Sequence, residues 1–238
     1  MPLLDHFHPP WLKQRPWDSF HAAWANALAE QLNDGVLPPP FVALPLTHQG
    51  GRIEIDVATV NGVAGVSGGG TATAVWAPPH PTLESPIDFT NLDVYEVRVQ
   101  RDDDSPPLVA AIELVSPGNK DRASHRGAFA VKCAGYLQQG VGLVVVDVVT
   151  SRSANLHGEL LELLGLSSTP NADVPPNLYA AAYRTTGPAE ASRLESWWEE
   201  VALAAPLPKM PLWIMEEVCV PVDLEAAYSV ARKRLVMR

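Results

Sequence analysis

Asp56, Glu113 and Lys132 are the residues whose types and spacing suit chemistry on a charged substrate. Glu113 follows the apolar run Leu108 to Ile112 and precedes Leu114, Val115 and then Ser116-Pro117. Its carboxylate is therefore expected at the carboxyl end of a strand. Lys132 is the one charged residue between Gly127 and Gln139, and helical spacing sets it beside Ala128, Phe129, Gly135 and Tyr136. An ammonium on such an apolar face is costly unless it meets a carboxylate or lies in a cleft. Glu113, on the preceding strand, is the partner at hand. A buried Glu113–Lys132 ion pair that fixes register is one reading, since such pairs can be purely structural. The other is an active site, which needs a second acid.

That acid is Asp56, within Arg52 to Val60. The two-residue strand period turns Ile53, Ile55 and Val57 one way and Glu54, Asp56 and Ala58 the other. Asp56 could simply face water on an edge strand. Together with Glu113 it could instead hold Mg²⁺ or Mn²⁺ through oxygen ligands, with Lys132 steadying negative charge nearby. Glu96 is a reserve ligand. Asn119 and Lys120, in the loop after Glu113, are candidates for contact with a phosphate, or for capping that loop.

The elements that must position these groups lie in Leu108 to Val149. Two β-branched apolar runs flank a polar loop and a segment of helical periodicity, which predicts strand, loop, helix, strand. A parallel strand pair needs such a helical crossover. Upstream, Trp17, Phe20, Trp24 and Leu28 predict a helix, with Pro16 at its start and Gly35 past its end. His21 falls on its apolar face and reads as a core histidine bonded to backbone. Phe41 to Leu46 and the Asp56 segment predict a hairpin turning at Gln49-Gly50-Gly51. Val94 to Val99 and the Glu113 strand predict a second, turning at Asp102 to Pro107. Residues 61–92, rich in Gly and Pro, read as a flexible insertion; Gly68-Gly69-Gly70 lacks the lysine of a phosphate loop. Asn155 to Leu164 predicts a short helix, Tyr179 to Tyr183 a strand, and Asp223 the cap of a final helix ending in Arg232-Lys233-Arg234. Trp197, Trp198 and Trp213 read as interior anchors. Met1 to Pro16 reads as an extended arm, with Asp5, His6 and His8 as weak candidate chelators.

The order Glu113-Leu114-Val115-Ser116-Pro117, Lys132, Tyr136, Gly140-Val141 and Asp147 resembles the Uma-type branch of the PD-(D/E)XK, restriction-endonuclease-like superfamily. Trp17, Phe20-His21, Asp56, Ser116-Pro117-Gly118-Asn119-Lys120 and Asp147 similarly resemble a family of domains of unknown function grouped with those proteins. The standard superfamily motif carries lysine two residues after the glutamate, where this chain has Val115. The resemblance implies an α/β (α+β) fold: a mixed central sheet flanked by helices, with a restriction-endonuclease-like core and a long loop insertion. It implies catalytic Asp56, Glu113 and Lys132, metal ligands Asp56 and Glu113, and substrate contacts from Asn119, Lys120 and Tyr136. The activity implied is metal-dependent phosphodiester hydrolysis of nucleic acid. The alternatives are a non-catalytic binding or assembly module on the same fold, or a hydrolase of a small phosphorylated or carboxylated ligand.

The 238 residues suit one domain with a substantial core, and 47% hydrophobic with 18% charged residues suits a globular chain. Seventeen basic against 27 acidic residues give a net charge of −10, which counts against broad electrostatic capture of nucleic acid. Lys120, Arg122 and Arg126 could still form a local basic patch. Two cysteines suggest no disulfide framework, and no apolar run reaches a membrane span. The expectation is a cytoplasmic protein with no membrane partner, with nucleic acid and a second copy of the chain as the partners to test.

Overall fold

The computed structural model describes residues 2–14, 16–45, 57–61, 76–87, 108–167, 177–188 and 191–236. Asp56, Glu54, Glu96, both expected hairpin turns and the Val94 to Val99 strand lie outside them. A short helix α1 (Trp11–Gln14) and a long α2 (Trp17–Asn33) open the chain, followed by β1 (Phe41–Pro45), β2 (Val57–Asn61) and β3 (Leu83–Pro86). Then come β4 (Leu108–Leu114), a 3-10 turn (Pro117–Lys120), α3 (Ala123–Gln138), β5 (Gly142–Asp147) and α4 (Leu156–Leu163). The remainder is β6 (Tyr179–Thr186), β7 (Arg193–Glu200), β8 (Lys209–Met215), β9 (Val218–Asp223) and α5 (Leu224–Arg234).

Seven strands form one mixed sheet in the order β1-β2-β4-β5-β6-β7-β3, and β8-β9 is a separate hairpin. β4 and β5 are parallel, joined through α3, while the other pairings in the large sheet are antiparallel. This is the mixed, helix-flanked α+β architecture expected from the sequence. β4 and β5 are buried almost throughout, which is why they read as continuous apolar runs rather than alternating ones. α1 and the strands β7 to β9 had no counterpart in the reading of the sequence.

The register assigns each side chain a face. Ala58 is opposite Ala111, Glu113 opposite Val145, and Asp147 opposite Tyr179, so Glu113, Asp147 and Tyr179 share the face covered by α3 and α4. Ile112, Val144, Ala182 and Trp197 line the other face, where Trp197 meets Trp213 of β8. On that side α2 packs beside β1, with Asn33 exchanging two hydrogen bonds with the Ala43 backbone.

Of the stretch 61–92, expected to be a flexible insertion, residues 61 and 76–87 are described. Within the part that is described, Leu83–Pro86 pairs antiparallel with β7 as an edge strand, and Trp197 Nε1 donates to the Pro79 carbonyl. Prolines are compatible with an edge, where the missing N–H interrupts no inner ladder. Their density had disguised a strand as a loop.

Candidate functional site

β4 brings Glu113 and α3 brings Lys132 to the same place. Lys132 Nζ donates to Glu113 Oε2 at 2.6 Å, with side-chain exposures of 13% and 3%, and lies 5.0 Å from the centroid of the Phe129 ring. The apolar helix face foreseen from spacing is thus real, and the ammonium crosses it to the one carboxylate that β4 offers there. Cys133, the next residue of α3, is fully buried beside the pair. Burial raises its thiol well above the usual value, and the Glu113 charge adds to this.

β2 approaches from the other side. Its first described residue, Val57, is opposite Ile112, the neighbour of Glu113. Asp56, one peptide bond before Val57, lies outside the described residues. Among the described residues no cluster of three His, Cys, Asp or Glu side chains could hold a metal. Glu113 alone is a poor site for Mg²⁺ or Mn²⁺, which bind through several oxygens, so the fit of a cation depends on Asp56.

The loop candidates take other parts. Lys120 is not presented to solvent: its Nζ donates to Asp147 Oδ2 at 2.8 Å, and both side chains are 0% exposed. Asp147 Oδ1 also accepts from the Val149 amide at 3.0 Å. Burial pushes the Asp147 carboxyl up to about 6, against the opposing pull of the Lys120 ammonium. Lys120 is therefore absent from the expected basic patch on the surface. Its partner lies at the end of the neighbouring strand, so the pair ties the Ser-Pro turn to β5. Asn119 closes that turn, its Oδ1 accepting from Ser116 N at 2.8 Å and Ser116 Oγ at 2.9 Å. This is the capping role weighed for it from the sequence. Tyr136 is also inside, at 3% exposure. Of the other basic groups, Arg126 pairs with Glu159 on α4 at 2.6 Å, and exposed Arg122 donates to His125 at 3.0 Å.

One further polar group in the same layer, His157, carried no signal in the sequence. His157, buried at the start of α4, shares a hydrogen bond of 2.6 Å with Tyr183, while its amide donates to the Tyr179 hydroxyl at 2.9 Å. Burial lowers His157 to about 4 and raises both tyrosines well above their usual value. At the carboxyl end of β5, Thr150 Oγ1 donates to Asp5 Oδ1 at 2.6 Å and His8 Nδ1 donates to Asp5 Oδ2 at 2.8 Å. His6 does not join that group. It is buried, stacked on Phe20 at 4.0 Å and hydrogen-bonded to Tyr228 at 2.8 Å, so the two histidines form no chelating pair. His21 Nε2 donates to the Leu114 carbonyl at 3.0 Å, the backbone-bonded role expected of it.

Compared with family models, curated proteins and solved structures, the chain matches none of them. Among the described residues no helix is long and apolar enough to cross a membrane. What this arrangement can do must be argued from its own side chains.

Proposed function

We propose that the chain is a nuclease-like phosphodiesterase that hydrolyses nucleic acid with a divalent cation, Mg²⁺ or Mn²⁺, held by Asp56 and Glu113. The observation that carries the reading is the reach of Lys132 across the crossover unit to Glu113, at 2.6 Å. It places an ammonium beside the strand carboxylate although Val115 occupies the usual lysine position. Asp56 enters through its connectivity: it adjoins Val57, which faces the residue next to Glu113. When bound, the cation supplies Lewis acidity and a water of lowered pKa. Glu113 and Asp56 would be the residues to hold it, through carboxylate oxygens. Lys132 balances the buried Glu113 charge, and offers its ammonium to the charge that develops on phosphate oxygens.

A second reading, a non-catalytic binding or assembly module on the same fold, is favoured by the depth of the pair. Glu113 is 3% exposed and already holds an ammonium, as a purely structural ion pair would.

Thermal unfolding in Mn²⁺ and Mg²⁺, comparing wild type with Asp56→Asn and Glu113→Gln, separates the two. A cation at about 100 times its Kd should stabilise wild type by about 2.7 kcal/mol and neither variant. Mn²⁺-dependent cleavage of single- or double-stranded DNA or RNA should then disappear in Lys132→Ala. A wild-type melting curve indifferent to both cations, with no cleavage, leaves the module.

A further inference from the structure

At the amino end of β5, remote from the Ser-Pro turn, a cavity of about 350 Å³ opens between the last turn of α3, the end of β6 and the β8-β9 hairpin. Its size is at the lower end of small-molecule sites, roughly 300 to 1,000 Å³. Gly142 belongs to its lining, and there the backbones of β5 and β8 approach so closely that a Cβ would lie 1.9 Å from the Trp213 carbonyl oxygen.

Arg184 and Trp213 both line it. The guanidinium lies 3.5 Å from the centroid of the Trp213 ring, its Nε donates to Glu195, and its Nη1 donates to the Glu216 carbonyl at 2.7 Å. This arginine is fixed on one face and two donors, while its Nη2 has no hydrogen-bond partner among the described residues. Three further residues of the lining, Gln138, Thr186 and Glu216, carry side-chain polar groups with no hydrogen-bond partner among the described residues, and Gln138 and Glu216 are exposed at its rim. The carboxyl end of α3 reaches the same space, and α3 carries no basic residue in its last turn to offset the negative end of its dipole.

The charges select among ligands. A simple anion would meet an arginine already balanced by Glu195, and would face Glu216 and the negative helix end. A simple cation would suit Glu216 and the helix end but would lie against the Arg184 charge. An apolar molecule would leave all the open polar groups without partners. A molecule with a carboxylate at one end and an ammonium at the other satisfies both sides at once. We propose that the cavity binds a free α-amino acid, its carboxylate on the open edge of Arg184 and its ammonium between the Glu216 carboxylate and the end of α3. A guanidinium held flat and pinned on two sides is preorganised for a carboxylate, so little rotamer entropy is lost on binding.

The test is calorimetric titration of the full chain with each of the common L-amino acids, with tryptophan fluorescence read in parallel. For any amino acid that binds, its N-acetyl derivative and its methyl ester are titrated next. The expected result is saturable binding of at least one free amino acid, loss of binding when either charge is blocked, and about tenfold weaker binding in Glu216→Gln, the effect of one charge-assisted hydrogen bond. Glu216 is exposed, so that variant should fold; Arg184→Lys, checked by its melting temperature, should weaken binding further. The proposal is overturned if no amino acid binds at roughly 10 mM, well above millimolar Kd. Equal binding of ester or N-acetyl derivative, or unchanged affinity in Glu216→Gln, overturns it as well.

Discussion

Lys120 and Lys132 both end beneath the same sheet face, and each meets a buried carboxylate there. The Glu113–Lys132 pair could be read from the sequence, because a single charge on an otherwise apolar helix face must find a partner and only the preceding strand provides it. The Lys120–Asp147 pair could not. Lys120 sits in a polar run with Asp121, Arg122 and Arg126, and nothing local marks which of them turns inward. The choice is made by an aspartate 27 residues away at the end of the parallel strand. The energetics are those of a fully desolvated pair, where loss of one partner strands a charge. Asp147→Asn should therefore cost about 3 to 5 kcal/mol in urea unfolding. The double variant Lys120→Met, Asp147→Leu should recover most of that loss, because it removes both charges and keeps volume. A double variant as unstable as the single one would show that the turn needs the ion pair itself.

The crossover unit was legible as an element because its two strands are buried on both faces and its helix follows a different period. The cap of α5 was legible for a similar reason: Asp223 precedes a helical stripe, and its carboxylate accepts from the Ala226 amide at 2.9 Å. β8 and β9 were hidden by Pro211 and Pro221, which face each other across the hairpin. β3 was hidden by its Pro-rich surroundings. In each case the pairing partner, not local propensity, decides that a strand forms. The close approach of β5 to that hairpin is testable at Gly142. Gly142→Ala puts a Cβ against the Trp213 carbonyl, a backbone atom that cannot rotate away, and should destabilise by about 1 to 3 kcal/mol or more. Gly127→Ala, inside α3 with nothing within 4 Å of the new methyl, should instead stabilise by about 0.5 to 1 kcal/mol. Opposite signs in paired denaturation curves would locate the constraint in the β5-β8 contact; equal signs would deny it.

Across the whole molecule the N-terminal arm closes the fold. Leu3 exchanges backbone hydrogen bonds with Ala204 and Ala205, and the Leu4 amide donates to Tyr228 at 2.8 Å. Arg232 donates to the Pro2 carbonyl at 3.0 Å. This docking carries His6 into the cluster of Trp17, Phe20 and Tyr228, where burial and the nearby Arg232 charge lower it to about 4 from 6.5. His157, under α4, is lowered to about 4 by burial alone. Between pH 6.5 and 4 the unfolded chain binds a proton at each of these positions and the native chain does not, so stability must fall as pH falls through that window. Asp147 acts in the opposite sense: raised to about 6 from 3.8, it keeps a proton in the native state that the unfolded state has lost, so its contribution grows on acidification between those values. Each shift is on the order of 3 kcal/mol, and two histidines outweigh one carboxyl. Urea unfolding from about pH 7 down to about pH 4.5 should therefore show a net loss of a few kcal/mol. The loss should begin above pH 6, where only the histidines titrate. Each of His6→Gln and His157→Gln should lower the proton uptake on unfolding by about one, whatever its effect on absolute stability. With both replaced, the slope should reverse sign between about pH 6 and about pH 4.5, leaving the opposing trend of Asp147 exposed. A wild-type protein whose stability is flat across this range would mean that neither histidine is held neutral in the native state.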